Sequence, residues 1–316
     1  MFSLSCISHV KRSSSDNSRP PAPPIATFTH IIVDRSGSMY SMNGVQNGMN
    51  IQLLKDTKDT AEKNQTPTYL TFTTFDNVVE KLVDNENILT SKLPSESDIA
   101  AVLAPRATTR FIDTVLETIE DINIQANAFL KTLPRATQIL NPNIVKLINC
   151  TTDGEDNVSS HTESDLRNEM INFRMNGGQA LLLAANMDAQ VIGRKYGFRE
   201  DTSLTVHASN PDAIKYAFTC LRSTSQRVTS GGTAIGYTQL QRSCSQEPSD
   251  TLDNTILTPP SALRRLPQYN TILPPTVVDD DIDFNSFGMV MLPPPPPPAR
   301  PLRRSARQLA RLNIKK

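Results

Sequence analysis

Ile31-Ile32-Val33-Asp34-Arg35-Ser36-Gly37-Ser38-Met39 is the stretch whose reading decides the fold. Its first three residues are apolar and β-branched, as at the end of a buried parallel strand. The strand runs directly into Asp34, Ser36 and Ser38, oxygen-bearing side chains at alternate positions. Gly37 lets the loop between them bend. Oxygen ligands suit a hard cation such as Mg²⁺ or Mn²⁺, and the absence of His and Cys argues against zinc. The plainer alternative is a Ser/Gly turn in which Asp34 caps a helix. The choice between them depends on whether other loops bring further ligands.

Working outward, strands and helices alternate. Phe28–Asp34 reads as the first strand, with its terminal carboxylate facing solvent. A helix follows over Val45–Lys63, where Val45, Met49, Leu53 and Ala61 recur near helical spacing. Tyr69–Phe75 is a strand rich in aromatic and β-branched residues. Asp76-Asn77 is a turn, and Val78–Val83 returns as an edge strand. The strongest amphipathic helix spans Phe111–Leu133. Ile144–Asn149 is a strand, and Thr162–Met175 a helix with Thr162 and Asp165 spaced as a capping box. Ala180–Ala185, Asp188–Tyr196, Leu204–Val206 and Pro211–Arg222 continue as strand, helix, strand and helix. This alternation predicts an α/β, doubly wound, mostly parallel sheet with one antiparallel edge strand.

Composition bounds this domain. The chain has 316 residues, is 38% hydrophobic and contains no Trp. Of 23 prolines, six lie between Ile25 and Val228. The expected organisation is therefore a disordered leader over 1–24, a folded domain over 25–228 and a disordered Pro-rich tail over 229–316. Formal net charge is zero, yet Arg300–Lys316 holds seven basic residues and no acids, leaving −7 on the remainder. Cys6, Cys150, Cys220 and Cys244 show neither close pairing nor metal-ligand spacing. That fits a reduced intracellular compartment, cytoplasmic or nuclear. No apolar run is long enough to span a membrane.

Two further loops carry matching chemistry. Asp153 follows the strand in Leu147-Ile-Asn-Cys-Thr-Thr-Asp153, and Thr108-Thr109 precede the strong helix. In open parallel sheets, sites form where strand order reverses, outside the carboxyl ends. Asp34-Arg-Ser-Gly-Ser38, a Thr before a helix, and Thr152-Asp-Gly154 after an apolar strand together resemble a von Willebrand factor type A domain. The resemblance covers about 25–228 and is closest to standalone intracellular microbial and viral forms. It implies a metal-ion-dependent adhesion site. Ser36 and Ser38 correspond to direct hydroxyl ligands, and Asp34 and Asp153 to carboxylates acting mainly through water. The family's Thr lies four residues before an Asp. Counting back from Asp113 selects Thr109 over Thr108, although Ala107 stands where a Gly is usual.

Such a site implies a non-enzymatic module that grips an Asp or Glu of a partner protein. Two other classes compete. One is a Mg²⁺-dependent phosphotransferase with Asp34 as nucleophile, for which Ser36 stands where a second acid is needed. The other is a metal-independent scaffold working through its tail. There, Leu292 to Arg303 contains a proline run and a Pro-x-x-Pro-x-Arg pattern, as in EVH1 and SH3 ligands. The basic end could meet nucleic acid or anionic lipid. Glu155, Asp156 and Asp76 read as loop or turn residues, and His30 as packed in its strand.

Overall fold

The computed structural model describes residues 23–246 except Asn43, Ala107, Asn141, Gly154 and Glu155. Of the expected leader over 1–24, residues 1–22 lie outside the described residues, as do the Leu292–Arg303 motifs and the basic end. Six strands run β1 Ala26–Asp34, β2 Thr68–Phe75, β3 Val79–Asn87, β4 Ile144–Thr152, β5 Gly178–Ala185 and β6 Ser203–Val206. The helices are α1 Val45–Asn64, α2 Glu96–Val102, α3 Phe111–Thr132, α4 Arg135–Ile139, α5 Glu163–Met175, α6 Ala189–Tyr196, α7 Pro211–Thr229 and α8 Gln239–Gln246. No helix among the described residues is long and apolar enough to cross a membrane.

The strands form one sheet in the order β3-β2-β1-β4-β5-β6. All neighbours are parallel except β2 and β3, which form the antiparallel edge hairpin. β1 is buried along its whole length, and its period-two side chains serve both faces. Ile31 and Val33 join one core with Leu53 and Leu54 of α1 and Phe218 and Leu221 of α7. Phe28 and Ile32 join the other with Val115 and Ile119 of α3, Met170 of α5 and Ile192 of α6. Apolar side chains on both faces of a central strand require helices on both sides, and this is the doubly wound arrangement expected.

His30 lies within β1, 1% exposed, with Nε2 2.9 Å from Gln125 Oε1. Burial lowers its pKa from 6.5 to about 4, and Lys81 adds to this. The Gln125 hydrogen bond and the charges of Asp121 and Asp84 only partly oppose it. The folded state therefore holds His30 neutral while the unfolded chain protonates it. Stability is full above pH 6.5 and falls as pH drops towards about 4. By linkage the loss is about 3 kcal/mol. Chemical denaturation at several pH values should show this loss in the wild type and not in His30→Gln. Equal pH slopes would refute it.

The structure extends further than the pattern indicated. α7 continues from the expected end at Arg222 to Thr229, and the chain then returns through α8. Ala234, Tyr237 and Cys244 are buried in the same core as α1 and α7. The expected boundary at Val228 is thus too early: packed structure reaches at least Gln246. Periodicity missed this segment because its apolar residues are few, spaced among Gly, Thr, Gln and Ser, and buried by tertiary contact. α2 also went unread, although Ser95-Glu-Ser-Asp98 is a capping-box sequence. Ser95 and Asp98 satisfy each other's backbone N–H there.

Candidate metal centre

β1 sits between β2 and β4, so the chain leaves its carboxyl end at a reversal of strand order. Val33 pairs with Thr151, which places the ends of β1 and β4 side by side. Asp34 closes β1. Its Oδ1 accepts from the Ser36 N–H at 2.7 Å and its Oδ2 from Thr152 Oγ1 at 2.7 Å. Ser36 Oγ lies 3.0 Å from Ser38 Oγ, and Ser38 Oγ donates to Asp153 Oδ1 at 2.7 Å. Four of the five expected ligands thus form one hydrogen-bonded group joining two loops. One expectation is corrected: Asp34 does not face solvent but is 0% exposed, because Thr152 and the tight Ser36 turn close over it.

Burial pushes the Asp34 carboxyl upward against the hydrogen bonds of Thr152 and Ser36, and the nearby Asp76 charge adds to the rise. Burial and then the Asp34 charge outweigh Ser38's hydrogen bond and push Asp153 up to about 6. Among the described residues neither carboxylate has an ion-pair partner. The nearest cation in sequence, Arg35, turns the other way to Asp76 and Glu80. A buried carboxylate beside a half-buried one, with no cationic side chain paired to either, is an electrostatic setting that a bound cation stabilises.

The third loop is sewn to both others. Thr109 is 3% exposed. Its N–H donates to Asn157 Oδ1 at 2.9 Å and its C=O accepts from the Asn157 N–H at 3.0 Å. Among the described residues no hydrogen bond links its hydroxyl to the other four, so it is the one expected ligand joined only through backbone. The Arg106 N–H donates to Arg35 O at 2.8 Å and the Arg110 N–H to Asp76 O at 2.9 Å. The loop carrying Thr109 is therefore pinned on both sides of that residue.

Two further acids, Asp113 and Asp156, shape the third side. Asp113 accepts from the N–H groups of Ser160 and His161 and from both their side chains. Burial raises its pKa, but these bonds together hold it well below the usual carboxylate range. Asp156 accepts from the Ile112 N–H at the start of α3 and from Ser159. The Thr-x-x-x-Asp spacing thus has a physical cause. One turn into α3, Asp113 anchors the loop after Asp153 beside Thr109.

The donor set suits a hard divalent cation. No group of three or more His, Cys, Asp or Glu side chains gathers among the described residues. A metal here would rest on Ser36, Ser38 and Thr109 hydroxyls with Asp34 and Asp153, a largely neutral oxygen set. The residues fit such an ion, with both Asp carboxylates uncompensated and Ser38 bridging to one of them.

Fold and site together define a doubly wound α/β domain whose strand-end loops present hydroxyls and two carboxylates. No protein-family model and no curated protein matches the sequence. Among solved structures, similarity is found to proximal thread matrix protein 1 from the mussel byssus, at 15% identity and TM-score 0.39, covering 66% of this chain and 47% of that one. A form of that protein with a zinc-occupied MIDAS motif aligns at 17% identity and TM-score 0.37, over 66% of this chain and 47% of that one. The SpRpn10 VWA domain aligns at 12% identity and TM-score 0.36, over 58% of this chain and 87% of that one. The chain thus spans less than half the length of the mussel protein it resembles.

Proposed function

We propose that Asp34, Ser36, Ser38, Thr109 and Asp153 hold a divalent cation, Mg²⁺ or Mn²⁺, through which the chain binds an Asp or Glu of a partner protein. The observation that carries this reading is the pairing of buried Asp34 with half-buried Asp153, linked through Ser36 and Ser38 and without a cationic partner among the described residues. Hydroxyl ligands neutralise little of the metal's charge. The cation therefore stays electrophilic and has room for an outside carboxylate. Ser38 is exposed, so the site opens to solvent on that side.

The geometry favours binding over phosphoryl transfer. Both Asp34 oxygens are occupied by hydrogen bonds and the carboxylate is buried, a poor posture for a nucleophile. Ser36 supplies no proton to a leaving group. The test is capture of partners by the full chain from its native cell, with EDTA, without it, and with EDTA followed by excess Mg²⁺ or Mn²⁺. Specific partners should vanish with EDTA and return with the cation. A partner set indifferent to EDTA would favour the tail-mediated scaffold instead.

A further inference from the structure

Asp76 reads in sequence as the turn between β2 and β3, yet it is 0% exposed and every polar group it has is used. Its Oδ1 accepts from the Val78 N–H at 2.7 Å. Its Oδ2 accepts from Arg35 Nε at 3.1 Å and from Arg106 Nε at 2.6 Å. Its C=O accepts from the Arg110 N–H and its own N–H donates to Val78 O. Glu80, on β3, completes a closed square. Its Oε2 accepts from Arg35 Nη1 at 2.6 Å and its Oε1 from Arg106 Nη2 at 2.8 Å.

The square joins the two loops that carry Asp34–Ser38 and Thr109 to a third segment. Arg35 belongs to the loop carrying Asp34, Ser36 and Ser38. Arg106 and Arg110 bracket Thr109. Asp76 and Glu80 belong to the edge hairpin, which contributes no ligand. Arg35 also donates to Val102 O at the end of α2, and is itself 1% exposed. Alternate residues of the first loop thus face opposite ways: Asp34 and Ser36 join the Asp153 group, and Arg35 turns to the square. Thr109's hydroxyl has no hydrogen bond to the other candidate ligands, so its position depends on what holds its backbone.

We propose that Asp76, Arg35 and Arg106 are positioning residues that fix the Thr109 loop against the Asp34–Ser38 loop and so set the affinity of the cation site. This rests on the cation reading above. The bland alternative is a buried ion-pair network that stabilises the fold and does nothing for the site. Two guanidinium groups, each bridging Asp76 and Glu80, define geometry more strictly than a single contact would. Groups that orient ligands without touching the metal commonly alter its affinity.

The test uses the full chain as wild type, Arg106→Gln and Arg106→Lys. Arg106 is the suitable site because its side chain is 52% exposed, whereas altering Asp76 would strand the buried Arg35. Two readouts are needed: calorimetric titration of Mg²⁺ and Mn²⁺, and amide hydrogen exchange without metal. Arg106→Gln should weaken cation binding by about tenfold. The Arg106 and Arg110 amides should exchange faster while β1 and β4 keep their protection. Arg106→Lys should recover part of the affinity, since it keeps the charge but not the fork. Unchanged affinity in Arg106→Gln with normal wild-type binding would overturn the positioning role alone. So would weakened binding accompanied by lost protection across β1 and β4, which marks a destabilised fold. A wild-type chain that binds neither cation would overturn the cation reading, and the positioning role with it.

Discussion

Ending the chain at Val228 will destabilise the domain severely relative to ending it at Gln246. Residues 230–246 pack against α7 and β6, with Tyr237 and Cys244 at 6% and 1% exposure. The segment is also fastened by hydrogen bonds. Arg242 donates to Ser203 O at 2.7 Å and to the carbonyls of Glu200 and Asp201, and the Tyr237 N–H donates to Asp201 O at 2.7 Å. Ordering this segment costs entropy that offsets much of its burial, so a single side chain gives the cleaner magnitude. Tyr237→Ala in the full chain should cost about 3–5 kcal/mol, as for other large aromatic truncations in cores. That lowers the thermal midpoint by about 10 °C in a domain of this size. Thermal unfolding of the two truncations and of Tyr237→Ala measures it. A 1–228 fragment as stable as 1–246 would show that the last helix is dispensable.

The same segment shows where sequence reading stops. β1 was legible because Ile31, Ile32 and Val33 are apolar on both faces, which only a central strand permits. The Asp34–Ser38 loop was legible because its side chains carry their chemistry at fixed spacing on adjacent residues. α5 was legible at its first residue, where Thr162 and Asp165 form the reciprocal cap that their spacing implies. What escaped was long-range. Asp76 looks like a turn residue because turns favour Asp. Its partners Arg35 and Arg106 are 41 and 30 residues away, brought to it by the β1–β2 pairing and the loop before α3. The burial of Asp34 escaped for the same reason, because it depends on Thr152 reaching across from β4. Local pattern reports which residues can do chemistry; the sheet order decides which of them meet.

Asp34→Asn will weaken cation binding strongly and leave the metal-free fold at least as stable as wild type. The substitution keeps the shape of the side chain. Its Oδ1 can still accept from the Ser36 N–H, and its amide can donate to Thr152, whose hydroxyl turns to accept. Asp34→Ala is the poorer test, since it leaves the buried Ser36 N–H without its acceptor, at a cost of about 1–3 kcal/mol. Neutralising Asp34 also removes a buried charge that raises the Asp153 carboxyl and that no cationic side chain among the described residues compensates. The divalent ion then faces one carboxylate instead of two, and affinity should fall by about 100-fold or more. Ser36→Ala should weaken binding less, because a neutral donor is lost and the charge remains. Calorimetric titration of Mg²⁺, Mn²⁺ and Zn²⁺, with thermal unfolding in EDTA, reads both quantities. Their signs carry the decision. A carboxylate that serves the fold would lower metal-free stability when neutralised and leave ion affinity alone. A carboxylate held in place for a cation does the reverse: its removal relieves the empty protein and disables the loaded one. Equal affinities in wild type and Asp34→Asn would exclude Asp34 from any cation site.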